Sequence, residues 1–247
     1  MPDAPAIVTL LTDPRHQAAI DALPPVRAER GLVVLGTGYG VGKTVVAGAI
    51  LRSLRHAGKA PVPFKPVALG CVRRRGQHGS DEIDFLAACA DATVPLEAIA
   101  PVRLDRQDTP PVAGGGELDM ESICSSADWL ARQGDALVVE GVGGVTTPLT
   151  ETLWGVHFAH HLGLPAVLVA CPGRDHVHQV LAGLAVCRAA GVALAGVILN
   201  RYVVDAGAGE PADLPGAPPP DADRYCHPEL ISRAAAIEML ALVPHEP

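Results

Sequence analysis

Residues 31–44, GLVVLGTGYGVGKT, pass from an unbroken apolar run through glycines into Gly42-Lys43-Thr44, and this constrains the fold more than any other stretch of the chain. Leu32 to Leu35 carries no polar interruption, as expected of a parallel strand buried on both faces. After Thr44, VVAGAILRSLRHAG places apolar residues at helical spacing up to Gly58. A glycine-rich turn between such a strand and such a helix surrounds phosphate oxygens with backbone N–H groups at the positive end of the helix dipole. There the Lys43 ammonium reaches the β/γ-phosphates of a nucleotide triphosphate, and the Thr44 hydroxyl ligates Mg²⁺. The strict pattern G-x-x-x-x-G-K-[ST] asks for glycine where this chain has Thr37; the glycine comes one residue earlier, at Gly36, so the match is to a longer-looped variant. The competing reading is an ordinary glycine-rich turn without a ligand.

Composition narrows the class. At 247 residues, 49% hydrophobic and 19% charged, the chain can bury a full core and suits one α/β domain over residues 31–247, preceded by an extension over 1–30. A net charge of −8 and a pI near 5.6 argue against a nucleic-acid partner. The one basic cluster, Arg73-Arg74-Arg75, reads as a solvated loop or a contact for an anionic substrate. Six cysteines are scattered singly without metal-ligand pairing, which fits a reducing cytosol. Residues 1–30 carry Asp3, Asp13, Arg15, His16 and Asp21, so they lack the apolar core of a secretory signal, and no stretch is long enough to span a membrane. A soluble, cytoplasmic protein is expected.

Strands and helices alternate along the chain. APVPFKPVALG reads as a strand leading into a loop, IDFLAACADA as a helix after Ser80-Asp81, and 119–133 as a helix before the strand DALVVEG. PAVLVAC and VALAGVILN are further buried strands separated by the helix HVHQVLAGLAVCRAAG. This alternation predicts a P-loop α/β fold: a mainly parallel β-sheet with helices on both faces, in a single domain. Ligands of such sheets bind at the carboxyl ends of the strands, where Lys43, Lys65, Glu140 and Asn200 fall. Residues 1–30 read as a loosely structured extension, and Asp205 to Asp223, rich in Ala, Gly and Pro, as a flexible surface loop.

Three polar residues carry the chemistry beyond the loop. Glu140 closes an apolar strand just before Gly141-Val142-Gly143-Gly144; a charge at a buried strand end needs a cation, either a metal or a salt-bridge partner. Asp81 reads equally as a metal ligand or as part of a helix cap. Lys65, held extended by Pro66, is either a surface lysine or a second cation beside a transferring phosphoryl group, where positive charge lowers the barrier.

GTGYGVGKT, Lys65-Pro66-Val67-Ala68, Ser80-Asp81, Thr109-Pro110-Pro111, VVEGVGGVTTPL and GVILN occur in the order and approximate spacing found in dethiobiotin synthetases, and residues 31–204 resemble that family. The resemblance implies an ATP- and Mg²⁺-dependent ligase of biotin biosynthesis. Such enzymes carboxylate one amine of 7,8-diaminopelargonate with CO₂, phosphorylate the carbamate with ATP, and let the other amine displace phosphate to close a cyclic urea. It further implies that Tyr39, Gly40, Val41, Gly42, Lys43, Thr44, Val45, Glu140, Gly143 and Asn200 bind nucleotide, Asn200 at the adenine. Thr44, Asp81 and Glu140 are then the metal set, and Lys65, with Lys43, the catalytic lysines. Leu69, Thr147 and Arg174 fall on the substrate side, and the family's homodimer places substrate at the interface.

The departures concentrate at the substrate side. The family loop reads GTDTxVGKT, and Gly38-Tyr39 replace its Asp-Thr pair. Its K-P-V-A-[ST]-G supplies a small hydroxyl where this chain has Leu69, and an unpaired polar group of the substrate there costs about 1–3 kcal/mol. The family's G-x-I-N-H becomes Gly173-Arg174-Asp175-His176-Val177, a helix start that Arg174 equips for a carboxylate. The chain also stops soon after Leu242-Val243-Pro244, where family members usually continue, so the base side of the nucleotide site is expected to be short. Three readings remain: a dethiobiotin synthetase with a substituted substrate pocket, a related ATP-dependent ligase with another substrate, and a regulatory P-loop ATPase of the partition type. The last is the weakest, because that group places an additional lysine where this chain has Thr37 and Gly38.

Overall fold

Successive side chains of Gly31–Gly36 point to opposite sides of a sheet, and because both sides are apolar, both must be covered. The computed structural model describes residues 13–74, 77–114, 116, 118–173, 175–202 and 227–244. Along the chain the elements are α1 (Pro14–Asp21), β1 (Gly31–Gly36), α2 (Lys43–His56), β2 (Pro61–Phe64), β3 (Val67–Ala68), β4 (Val72–Arg74), β5 (Gln77–Gly79), α3 (Asp81–Ala90), α4 (Leu96–Ile99), β6 (Val102–Arg103), α5 (Pro110–Gly114), α6 (Met120–Ala131), β7 (Ala136–Glu140), α7 (Gly155–Leu162), β8 (Ala166–Ala170), α8 (His176–Ala189), β9 (Leu194–Tyr202), α9 (Pro228–Ala235) and β10 (Met239–Pro244).

Six strands form one parallel sheet in the order β10-β9-β8-β1-β7-β2. Val33 and Leu35 of β1 pack on one face with Ile123, Leu130, Val156, Phe158, Leu184 and Ile231 from α6, α7, α8 and α9. Val34, between them, faces the other side with Val46, Leu51, Leu86 and Cys89 from α2 and α3. The period-2 alternation of a buried strand thus becomes two apolar layers, as the sequence predicts.

Register places the polar ends. Phe64 of β2 stands beside Val139 of β7, so the next residue of each chain, Lys65 and Glu140, emerge side by side at the carboxyl edge. Glu140 also stands beside Val34, two residues before β1 ends. The apolar stretch after Ala60 is one strand in the sequence reading and two in the structure. Pro66 has no N–H to continue the ladder, and β3 leaves to pair with β6 in a separate two-stranded sheet.

Two regions are more ordered than their sequences suggest. Within the extension, α1 is capped by Asp13, which accepts from Arg15 N at 2.8 Å, and packs against α7. Its buried His16 bonds the Thr152 carbonyl and meets Trp154 edge-on and His157 at a tilt, while His161 reaches Pro24 O at 2.8 Å. Toward the other end, β10, preceded by α9, adds the sixth strand. The Asp205–Asp223 loop and Arg174 lie outside the described residues. Among the described residues no helix is long and apolar enough to cross a membrane.

His157 makes this docking sensitive to acid. Its Nδ1 accepts from Trp154 N at 3.2 Å, and burial, then His16 and His160, push its pKa down to about 4. A base whose folded pKa lies below its unfolded value destabilises the fold as pH falls from about 6.5 toward 4, by on the order of 3 kcal/mol once fully protonated. His157→Gln should therefore show a smaller drop in Tm between pH 7 and pH 4.5 than the unsubstituted protein; equal drops would remove His157 from the acid response.

Candidate active site

Between β1 and α2 the chain turns through 37–42, and two glycines there are required by close approach. A Cβ on Gly36 would lie 2.8 Å from Lys43 Cδ, because the lysine folds back across the strand end. Gly42 has φ +91°, and a Cβ there would come within 1.8 Å of Asn200 Nδ2. Asn200, buried at the end of β9, donates to Val41 O at 3.0 Å and so clamps the loop from behind. Lys43 is buried and donates to Gly38 O at 2.8 Å, curling the loop over its own side chain. Burial, reinforced by the nearby Lys65 ammonium and only partly offset by Glu140 and Glu82, lowers the Lys43 pKa to about 8.

Glu140 is the centre of the polar cluster. Its Oε1 accepts from the Thr44 hydroxyl at 2.7 Å and from Lys65 Nζ at 2.7 Å. Lys65 also meets Glu82 Oε2 at 2.9 Å. Burial alone would lower the Lys65 pKa, but the two carboxylates outweigh it and the net shift is upward. The second oxygen, Glu140 Oε2, is buried without a hydrogen-bond partner. A buried carboxylate oxygen left over beside a P-loop threonine has the donor chemistry of a hard cation's oxygen ligand, so Thr44 and Glu140 fit Mg²⁺.

These groups open into a cavity of about 660 Å³. Of the residues singled out in the sequence, Tyr39, Gly40, Gly42, Lys43, Thr44, Val45, Lys65, Leu69, Glu140 and Gly143 line it. Val41 is buried behind the loop, and Asn200 lies behind it too rather than in the cavity wall. Thr147 is buried beneath the wall, where its Oγ1 accepts from Gly144 N at 2.8 Å, and the Tyr39 ring stands near it across Gly143. Gly143, at φ +60°, leaves room for that pair: a Cβ there would stand 2.3 Å from Thr147 Oγ1 and 2.8 Å from Tyr39 Cζ.

Asp81 is exposed at the first turn of α3 and is not among the lining residues; its neighbour Glu82 faces Lys65 instead. Consecutive helical residues diverge by about 100°, so one of two adjacent acids enters the site, and which one depends on the helix phase set by the Ser80 cap. Sequence reasoning passed over Glu82, together with Gln107, Asp108 and Arg201, which also line the cavity. Arg201 has one visible signal after the fact: it follows Asn200 in a left-handed backbone conformation, φ +57°, at the end of a buried strand.

The profile of a family described as an AAA domain matches residues 30–247. An ATP-dependent dethiobiotin synthetase BioD of Anaeromyxobacter sp. (strain K) is 35% identical over 221 residues, 88% of this chain and 91% of that protein. Another from Anaeromyxobacter sp. (strain Fw109-5) is 32% identical, covering 87% and 90%. The septum site-determining protein MinD of Pyrococcus horikoshii OT3, solved with Mg-ADP, superposes with a TM-score of 0.50 at 17% identity, covering 88% of this chain and 82% of that one. This last likeness is one of fold.

The clamp by Asn200 generates a test. Asn200→Ala leaves the Val41 carbonyl without its partner, a loss of about 1–3 kcal/mol in loop order. ADP and GDP affinities should then fall together, by roughly tenfold in titration calorimetry. A loss confined to ADP would instead place the amide on the base.

Proposed function

The chain belongs to the dethiobiotin synthetase family, and we propose that it is the ATP-dependent ligase that forms dethiobiotin from 7,8-diaminopelargonate and CO₂. The observation that carries the reading is the Lys43–Glu140–Lys65 cluster in one cavity, in a chain 35% identical over 88% of its length to a dethiobiotin synthetase. One amine of the diamine attacks CO₂ and loses a proton, giving a carbamate. A carbamate oxygen attacks the γ-phosphorus as the bond to ADP breaks. The second amine attacks the carbamoyl carbon, and phosphate leaves as the cyclic urea closes.

Within that scheme Tyr39, Gly40, Gly42, Lys43, Thr44, Val45 and Gly143 receive the nucleotide, with Val41 and Asn200 holding the loop that does so. Lys43 neutralises charge on the β/γ-phosphates, and Lys65 holds the carbamate oxygens toward the γ-phosphate, where charge develops in the transition state. Thr44 and Glu140 would hold Mg²⁺, with Asp81 reaching it only from outside the present wall; the ion supplies neutralisation of the phosphate oxygens. Leu69 and Thr147 bound the substrate side, to which the family resemblance also assigns Arg174. A homodimer, a cytoplasmic location and the division into an extension, 1–30, and a catalytic domain, 31–247, belong to the same reading.

The alternative of a related ligase with another substrate is favoured by one observation: Leu69, an aliphatic side chain, lines the cavity where the family places a hydroxyl.

Phosphate release from MgATP with bicarbonate should depend on the diamine and match dethiobiotin measured by mass spectrometry. ATP binding without that product would move the substrate elsewhere. Lys65→Ala should retain nucleotide binding and lose at least about a hundredfold in turnover, whereas full activity would remove it from the mechanism. Leu69→Ser should raise kcat/KM for the diamine; a fall would favour the changed-substrate reading.

A further inference from the structure

Lys65 sits between two carboxylates of very different exposure. Glu140, whose side chain is 2% exposed, is fixed by the strand end and by the Thr44 hydroxyl. Glu82, at 2.9 Å on the other side, is 50% exposed and lies on the cavity wall. Its backbone is anchored, since Glu82 N donates to Ser80 Oγ at 3.2 Å, so the carboxylate leaves by side-chain rotation without moving α3. We propose that Glu82 is a detachable counter-ion, occupying on Lys65 the place of the substrate carbamate until the carbamate displaces it. The proposal rests on the reading that Lys65 receives the carbamate.

Shape and charge carry the argument. A carbamate and a glutamate end in the same planar, two-oxygen monoanion, and each accepts hydrogen bonds from an ammonium in the same way. The cavity-facing side of Lys65 is held by Glu82, so a substrate anion arriving there meets a like charge unless Glu82 leaves. Release turns only the half-exposed Glu82 into solvent and leaves the buried Lys65 still paired with Glu140, whereas separating Lys65 from Glu140 would strand a buried charge. The exchange is confined to Lys65, because the other buried lysine, Lys43, is held by a backbone carbonyl rather than a carboxylate.

Two consequences follow for the reaction. In the free protein the buried ammonium stays paired with both carboxylates, Glu82 at 2.9 Å and Glu140 at 2.7 Å. During turnover a neutral amine cannot displace Glu82 and an anion can, so Lys65 engages the substrate after carboxylation and not before. The apparent affinity for the anion is lowered by the fraction of protein in which Glu82 is on Lys65.

Phosphonoformate with MgADP is the probe, since it presents a carboxylate beside a phosphoryl-like group. Titrated by calorimetry into the full chain, it should bind Glu82→Gln about three- to tenfold more tightly than the unsubstituted protein. Glu82→Asp, which keeps the negative charge at the start of the helix but shortens the arm, should also tighten binding; a role confined to stabilising the helix start would leave it unmoved. In a Lys65→Met background the gain from Glu82→Gln should vanish. In turnover the gain should sit in KM for the diamine at saturating bicarbonate rather than in kcat. Equal or weaker phosphonoformate binding by Glu82→Gln, including no binding by either protein, overturns the proposal. Absence of dethiobiotin from the unsubstituted protein overturns the functional reading instead, and the phosphonoformate comparison still judges Glu82.

Discussion

The cluster that joins the P-loop helix to the second cavity lysine depends on one buried carboxylate oxygen. Glu140 Oε1 ties the first helix after the P-loop, through Thr44, to the second lysine of the cavity, Lys65. A charge buried at a strand end is stable only when paired and hydrogen-bonded, and removing one partner of such a pair costs about 3–5 kcal/mol. The hub exists because β7 lies between β1 and β2 with Phe64 level with Val139. A slip of one residue in β2 would turn Lys65 to the opposite face of the sheet and leave Glu140 without its cation.

Sheet geometry also explains why the nucleotide loop is stiff before any ligand arrives. Its glycines make room for Lys43 and Asn200, and both side chains bond loop carbonyls rather than solvent. Preorganised donors need less rearrangement when an anion binds, the condition under which electrostatic stabilisation is most effective. On the opposite rim Thr147 accepts from Gly144 N, and Tyr39 packs close to it over Gly143.

The four strands β1, β7, β8 and β9 were legible because each is a continuous apolar run, the pattern of a strand covered on both faces. β10 was not: its residues alternate between half-buried and exposed, so no run of that kind appears. Nor was α1, whose docking relies on His16 and backbone carbonyls instead of an apolar stripe. In the site, Lys43 and Thr44 could be placed from the glycine loop that opens a helix, and Lys65 and Glu140 from their positions at strand ends. Glu82 required the phase of α3, and the clamp by Asn200 required knowing that β9 ends behind the loop; neither is written in local sequence.

The order of strands has a bearing on how this chain acquires its structure. β1, near the beginning, has as its two neighbours β7 and β8, so Val34 waits for Glu140 and Val167 before its backbone is paired. Non-local parallel pairing of this kind is slow, because the loop-closure entropy is spent before any contact forms. On a ribosome the phosphate loop therefore emerges early but remains unassembled until Ala170 is clear of the tunnel. Until then the apolar run from Leu32 to Leu35 has at most its β7 partner and leaves one edge open, an aggregation-prone segment of the nascent chain.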